Sequence, residues 1–153
     1  MAKFVYQMQN ILQIKYKLED QAKSVYAQAR QKLSEEEKKL MILKDRKLDY
    51  EMKLKECISS KLNLLEIKKY ENAIETIKVS INIQIINVND AKLKLEQARI
   101  KLSEVMIDRK THEKLREKAF DNFKLELELE ERKEIDELVS FKYNTPNGSE
   151  DDA

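Results

Sequence analysis

The sequence predicts an all-α fold: a long antiparallel two-helix coiled coil (an α-hairpin) with a C-terminal helical overhang. Between Ala2 and Tyr143 there is neither glycine nor proline, so residues that commonly form turns are scarce. Along two segments, apolar residues recur in alternating steps of four and three, the spacing of a coiled-coil seam. The phase of this stripe changes once, between residues 56 and 63, where we expect the chain to reverse.

The first stripe runs through residues 4–54, and twelve of its fifteen positions are apolar. It comprises Phe4, Met8, Ile11, Lys15, Leu18, Ala22, Val25, Ala29, Leu33, Glu36, Leu40, Leu43, Lys47, Tyr50 and Leu54. An additional step of four between Ala29 and Leu33 resembles a stutter, which unwinds a supercoil locally without ending the helix.

The second stripe runs through residues 67–105 without such an adjustment, and eleven of its twelve positions are apolar. It comprises Ile67, Tyr70, Ile74, Ile77, Ile81, Gln84, Val88, Ala91, Leu95, Ala98, Leu102 and Val105. Within it, residues 77–88 alternate apolar and polar residues as a β-strand would. Five continuous heptads outweigh that short alternation, so we expect a helix throughout.

A helix of about 125 residues would be roughly 190 Å long, whereas a bend lets both stripes pack within one chain. We expect helices over about 4–57 and 64–141, a bend over about 58–63, one domain over 1–143 and a disordered acidic tail over 144–153. Residue i should then face roughly residue 123 minus i, so that Ile11 faces His112. Residues beyond about Ala119 would overhang with exposed apolar side chains. A parallel dimer of straight helices is the alternative.

A second apolar row lies on the side of the second helix opposite the seam. With Ile67 at heptad position a, position f is occupied by Val79, Ile86, Leu93, Ile100 and Ile107. Position f normally faces water and is charged. A third helix, self-association or docking of a different protein would each explain this row.

Composition excludes several classes of function. The 30 basic and 29 acidic residues balance, which gives no electrostatic reason to expect nucleic acid as a partner. No apolar run approaches the roughly 20 residues that span a bilayer, so direct membrane insertion is not expected. A single cysteine, Cys57, fits a reducing compartment, and we expect a soluble, cytoplasmic protein.

No residue pattern indicates an enzyme, a metal site or a bound cofactor. Cys57 and His112 are the candidate nucleophile and base, but the hairpin separates them by roughly 70 Å along the helix. The unusual polar feature is an interruption of the second seam at Arg109, His112 and Arg116. Either their long stems cover the partner helix, or this end binds an acidic or polar surface of another protein.

Three segments resemble the FliJ family of the flagellar type III export apparatus. They are the opening FVYQMQNIL at 4–12 followed by Leu18-Glu19 and Ala22, the segment RKTHEKLREKAFDNF at 109–123, and ERKEIDEL at 131–138. The resemblance implies a non-catalytic coiled-coil stalk, similar to the central stalk of rotary ATP synthases, that binds and stimulates the hexameric export ATPase. It further implies a link to the export gate membrane protein FlhA, escort of substrate chaperones, and peripheral association with the cytoplasmic membrane.

The resemblance also implies two sets of contact residues. The ends of the chain would enter the ATPase ring, with candidates Arg109, Lys110, Glu113, Leu115, Arg116, Phe120, Phe123 and Leu127. The bend would approach the gate, with candidates Leu43, Tyr50, Tyr70 and Ile74. A structural coiled-coil adaptor, or the equivalent stalk of a virulence secretion system, is the alternative function.

Overall fold

The computed structural model describes residues 3–60 and 63–144. Helix α1 comprises Gln9–Ser60 and helix α2 comprises Leu64–Asn144, and these described ranges contain no strand. The predicted all-α, antiparallel two-helix coiled coil with a C-terminal overhang is therefore confirmed. The predicted disordered tail lies outside the described residues, apart from the end of α2.

Helix α1 begins at Gln9, later than the sequence predicts, and residues 3–6 are not helical. The amide of Gln9 donates to the carbonyl of Tyr6 at 3.1 Å, and that of Leu12 donates to the carbonyl of Met8 at 3.1 Å. Helix starts are usually marked by Ser, Thr, Asp or Asn at the N-cap. Residues 3–8 contain none of these, so nothing in the sequence fixes the first helical residue.

The bend is marked on both sides by polar side chains that bond the main chain. Ser59 and Ser60 donate to the carbonyl of Glu56 at 3.1 and 2.7 Å, near the end of α1. Asn63 caps α2: its side-chain oxygen accepts from the amide of Leu65 at 3.2 Å. Glu66 lies in the first turn, where a negative charge favours the helix dipole. An asparagine followed three residues later by a glutamate is a pattern typical of a helix start, and here it marks the beginning of α2.

The chain groups into two compact units, one formed by Leu18–Met106 and the other by Met1–Lys17 with Ile107–Ala153. In the first unit, the antiparallel helices bury a seam rich in small and β-branched residues. Its buried apolar members are Ala22, Ile74, Ile81, Val88, Ala91 and Ala98. All the α2 members were predicted, and the predicted seam of α2 is confirmed.

The seam of α1 within this unit differs from the prediction in its N-terminal part. Leu18 and Val25 are exposed, while Glu19 is buried and Tyr26 half-buried. With these residues, the seam steps regularly by three and four from Glu19 to Cys57, without the predicted stutter. The sequence assigned Leu18 and Val25 to the seam because they are apolar, whereas the residues one position later, Glu19 and Tyr26, lie there.

In the second unit, 1–17 with 107–153, the seam residue of α1 is likewise one position later than predicted. Leu12 is the largest fully buried side chain of the described residues, with 1% of its surface exposed, whereas the predicted Ile11 is 40% exposed. The antiparallel register is as predicted: Lys15 pairs with Asp108, and their numbers sum to 123. Each unit therefore has a defined seam from which its exposed surfaces can be identified.

Candidate partner-binding surfaces

Three aromatic rings pack together where the non-helical N-terminal segment meets α2. The ring of Phe4 meets that of Phe120 edge-on, with centroids 5.1 Å apart and planes at 75°. It lies 5.4 Å from the ring of Phe123. The sequence placed Phe120 and Phe123 in an unpartnered overhang; this is corrected, because the extra reach of residues 3–6 brings Phe4 onto both.

Two open grooves flank this aromatic cluster. One has a volume of about 460 Å³ and is lined by Phe4, Tyr16, Glu113, Arg116, Glu117 and Phe120. The other, of about 420 Å³, is lined by residues 4–8 and by Ala119, Asn122, Phe123 and Glu126. Four predicted ring-contact residues, Glu113, Arg116, Phe120 and Phe123, thus line surface grooves around Phe4.

The polar interruption of the seam is an ordered network in this same unit. Lys15 Nζ lies 2.8 Å from Asp108, and this hydrogen bond lowers the pKa of the Asp108 carboxyl. Arg109 pairs with Glu113 at 2.9 Å. Tyr16 donates to the same Glu113 carboxylate, which raises the pKa of the Tyr16 hydroxyl. Charges placed at the seam therefore have partners, as the cost of burying them requires.

The other two residues of the polar interruption, His112 and Arg116, are less closely paired than Lys15 and Arg109. His112 Nε2 lies 3.6 Å from Asp108, while its Nδ1 is buried without a hydrogen-bond partner among the described residues. Arg116 is exposed at the rim of the larger groove. Of the remaining predicted ring-contact residues, Lys110 and Leu115 are exposed and Leu127 is half-buried. Their role as contacts stays a prediction.

Beyond Phe123, helix α2 carries a series of exposed apolar side chains. Leu125, Leu129, Ile135 and Leu138 each expose 58–64% of their surface. They alternate with acidic and basic residues over 125–138. An exposed apolar series of this kind marks a surface suited to binding another protein.

The predicted gate-contact residues lie in the other unit, at or beside the seam rather than on an outer face. The rings of Tyr50 and Tyr70 are 6.2 Å apart, and the Lys53 ammonium lies 5.9 Å from the Tyr50 centroid. Ile74 is buried, and Leu43 is half-buried. Of these four residues, the half-buried Leu43, Tyr50 and Tyr70 are therefore partly available to a partner.

Cys57, near the bend, donates to Glu66 at 3.5 Å. Desolvation, followed by this hydrogen bond, raises the pKa of the Cys57 thiol, which lowers its nucleophilicity at neutral pH. Among residues 3–60 and 63–144, no three His, Cys, Asp or Glu side chains are grouped so as to hold a metal ion. Over the same ranges, neither helix combines the length and apolarity needed to cross a membrane.

Sequence reasoning missed a buried polar pair in the 18–106 unit. Gln84 Nε2 donates to the main-chain carbonyl of Glu36 at 2.9 Å and to its carboxylate at 2.5 Å. Lys32 lies 2.9 Å from the same carboxylate. Hydrogen bonds from Lys32 and Gln84 lower the pKa of Glu36 to about 2. The signal was present, because Glu36 and Gln84 are polar positions in stripes that are mostly apolar.

The family model described as Flagellar FliJ protein matches residues 4–148 of the chain. Among solved structures, the chain is similar to a putative YscO homolog, CT670, from Chlamydia trachomatis, with 22% sequence identity and a TM-score of 0.63. That similarity covers 92% of this chain and 96% of the other and shows a shared fold. No curated protein matches the chain.

Proposed function

The chain belongs to the flagellar FliJ family, and from this premise we propose that it is a non-catalytic stalk of the flagellar protein export apparatus. In this role it binds the hexameric export ATPase, stimulates ATP hydrolysis and links the ring to the export gate protein FlhA. It acts at the cytoplasmic side of the membrane without inserting into it. Escort of substrate chaperones is a further activity that the family resemblance supports.

The observation that carries the ATPase proposal is the apolar series beyond Phe123. Leu125, Leu129, Ile135 and Leu138 are exposed on a helix that continues past the aromatic cluster around Phe4. A helix presenting apolar side chains among charged ones suits the interior of a protein ring, where each can meet a subunit surface. The grooves beside Phe4 add aromatic and charged edges to the same unit.

The test is a truncation that spares the aromatic cluster. Removing Phe120 and Phe123 would deprive Phe4 of both partners, so loss of activity would have a trivial cause. A chain ending at Leu127 keeps all three rings. We expect it to retain its helical ellipticity but to lose stimulation of the purified hexameric export ATPase.

Point variants separate the apolar series from helix length. We expect the double variant Leu129→Gln with Ile135→Gln to reduce stimulation strongly. The matched control, Leu48→Gln with Met52→Gln, alters equally exposed side chains of α1 and should leave stimulation unchanged. Full stimulation by the chain ending at Leu127 would contradict the assignment of this end to the ring.

For the gate, we propose that the half-buried Tyr50 and Tyr70 contribute the contact. We expect Tyr50→Ala and Tyr70→Ala to weaken binding to the cytoplasmic part of FlhA. Ile67→Ala is the control, because Ile67 is a half-buried seam residue of the same region that is not a candidate contact. Equal weakening by Ile67→Ala would assign the effect to helix packing and not to the tyrosines.

A further inference from the structure

The outer side of α2 in the 18–106 unit carries a continuous apolar row that is separate from the seam and from the proposed ring and gate contacts. Its members expose 46–62% of their surface, although they are large and aliphatic. The row, called here the outer row, consists of Val79, Ile83, Ile86, Leu93 and Ile100. It extends over roughly 32 Å of helix, about six turns. Ile107, assigned to the same row from the sequence, is exposed but belongs to the other unit.

The residues that border the outer row carry a single sign of charge. On a helix, the nearest neighbours of a residue on the surface are those three and four positions away. For the outer row these positions include no lysine and no arginine. They are Glu75, Thr76, Ser80, Asn82, Asn87, Asn89, Asp90, Glu96, Gln97, Ser103 and Glu104, all of them exposed except the half-buried Ser80.

The basic residues of the same segment lie farther round the helix, beside the seam. Two of them reach the border: Lys78 pairs with Glu75 at 3.4 Å, and Arg99 pairs with Glu96 at 2.5 Å. Within the described part of the chain, Asp90 and Glu104 form no such pair. The outer row is therefore an apolar surface with an acidic border that is only partly compensated.

This charge pattern decides between the occupants that an apolar helix face admits. A second copy packed on the outer row, parallel or antiparallel, would place acidic borders against acidic borders, which disfavours association. The acidic residues 150–152 at the end of the chain would meet the same repulsion. A helix whose apolar stripe is bordered by lysine and arginine would instead gain both apolar burial and opposite charges.

We infer that the outer row is a docking surface for a basic amphipathic helix of another protein, about 20 residues long. Its apolar side chains pack on Ile86 and Leu93 at the centre of the row, and its basic side chains face Asp90 and Glu104. The inference does not depend on the proposed stimulation of the ATPase, because the outer row shares no residue with the ring-facing surface.

The test uses a synthetic 21-residue helical peptide with leucines on one face and lysines on both borders. Its control has glutamate in place of every lysine. Fluorescence anisotropy with the full chain should show the lysine peptide binding at least about tenfold more tightly than the glutamate peptide. Asp90→Lys with Glu104→Lys should reverse that preference. Equal binding of the two peptides would overturn the inference.

A second pair of variants assigns the binding to the outer row. Ile86→Gln with Leu93→Gln should weaken binding of the lysine peptide by at least about tenfold, since apolar contacts of two large side chains are lost. Leu48→Gln with Met52→Gln should leave it unchanged. Neither variant alters the ring-facing end, so both should stimulate the ATPase as strongly as the unaltered chain. Failure of peptide binding and failure of ATPase stimulation can therefore be distinguished. Sedimentation showing a dimer that Ile86→Gln dissociates would assign the row to a second copy and overturn the inference.

Discussion

Replacing Leu12 by alanine should destabilise the paired ends of the chain far more than replacing its neighbour Ile11. Leu12 exposes 1% of its surface and Ile11 exposes 40%. Both are aliphatic, both lie in the first turns of α1, and both lose the same number of carbon atoms on conversion to alanine. The pair is therefore a direct test of which residue faces the seam.

The expected magnitudes follow from burial. A fully buried leucine costs about 2–5 kcal/mol on conversion to alanine, because a cavity adds to the lost transfer energy, and we expect about 3 kcal/mol for Leu12. Because Ile11 is about three fifths buried, its conversion to alanine loses about three fifths of the transfer free energy of a fully buried side chain. This is about 1.4 kcal/mol for three carbons at ~0.8 kcal/mol each. Alanine also favours the helix over isoleucine by about 0.4 kcal/mol, which leaves about 1 kcal/mol.

Hydrogen exchange of the amides in Gln9–Lys17, followed by mass spectrometry, measures this segment even where it opens before the rest of the chain. A difference of about 2 kcal/mol between the variants corresponds to roughly a thirtyfold difference in exchange rate. Urea unfolding followed by ellipticity gives the global effect. The amides of residues 40–50 serve as the internal reference and should change little.

An Ile11→Ala variant that exchanges as fast as Leu12→Ala, or faster, would refute the seam described here. It would restore the stripe that apolarity alone assigns, with Ile11, Leu18 and Val25 facing α2. Equal and small effects of both variants would show that neither side chain is buried in solution.

Three further predictions concern the aromatic cluster, a carboxylate and the thiol. Phe4→Ala and Phe120→Ala should show a coupling energy of about 0.5–1.5 kcal/mol in a double-mutant cycle of unfolding, and additive effects would contradict their edge-on contact. Glu36, whose pKa in the folded chain is about 2, contributes stability that is complete above its unfolded pKa of about 4.3 and is lost as the pH falls toward 2. The urea midpoint of Glu36→Gln should therefore fall less than that of the unaltered chain between pH 5 and pH 2; parallel curves would be inconsistent with this assignment. Cys57 should react with a disulfide reagent at pH 7.5 more slowly in the folded chain than in urea, and Glu66→Gln should accelerate the folded reaction, because the Glu66 hydrogen bond raises the pKa of the thiol.

The seam of α2 was predictable because hydrophobicity and geometry agree there. Its stripe is dominated by isoleucine, valine and alanine, and the residues beside it are mostly charged or amide. The outer row did not disturb the assignment, since it lies on the opposite side of the helix and keeps the same period. For such a helix, the sequence determines both faces.

The N-terminal part of α1 was not predictable in the same way. Ile11, Leu18 and Val25 are apolar yet exposed, while Glu19 and Tyr26 occupy the seam. A buried glutamate is tolerable only with partners, and Glu19 has Lys23 at 3.4 Å. The pattern of apolar residues contains no information about such pairing, so it favoured the wrong residue by one position.

The predicted ring-contact and gate-contact residues were also only partly predictable from the apolar pattern. Phe120 and Phe123 were predicted to be exposed apolar residues, but both contact Phe4. That contact depends on the non-helical segment 3–6, and no N-cap residue in the sequence indicates that the helix starts after it. Tyr50 and Tyr70 were placed at the seam correctly, and their rings meet across it, although the predicted register set Tyr50 opposite residue 73. What sequence could not give was how much of each ring remains available to a partner.

The buried polar residues explain why the helices of the 18–106 unit pack in one register. Apolar side chains slide past one another at little cost, whereas a buried carboxylate without a partner is strongly unfavourable. Glu36 and Gln84 are buried polar members of their stripes, and they meet across the seam. A shift of α2 by one heptad would place Ala91 or Ile77 opposite Glu36. Gln84 would then be buried without Glu36, and Glu36 would keep Lys32 but lose both hydrogen bonds from Gln84. Glu36 and Gln84 make each stripe less hydrophobic, and they thereby specify how the two stripes align. This fixed alignment also fixes the position of the exposed outer row.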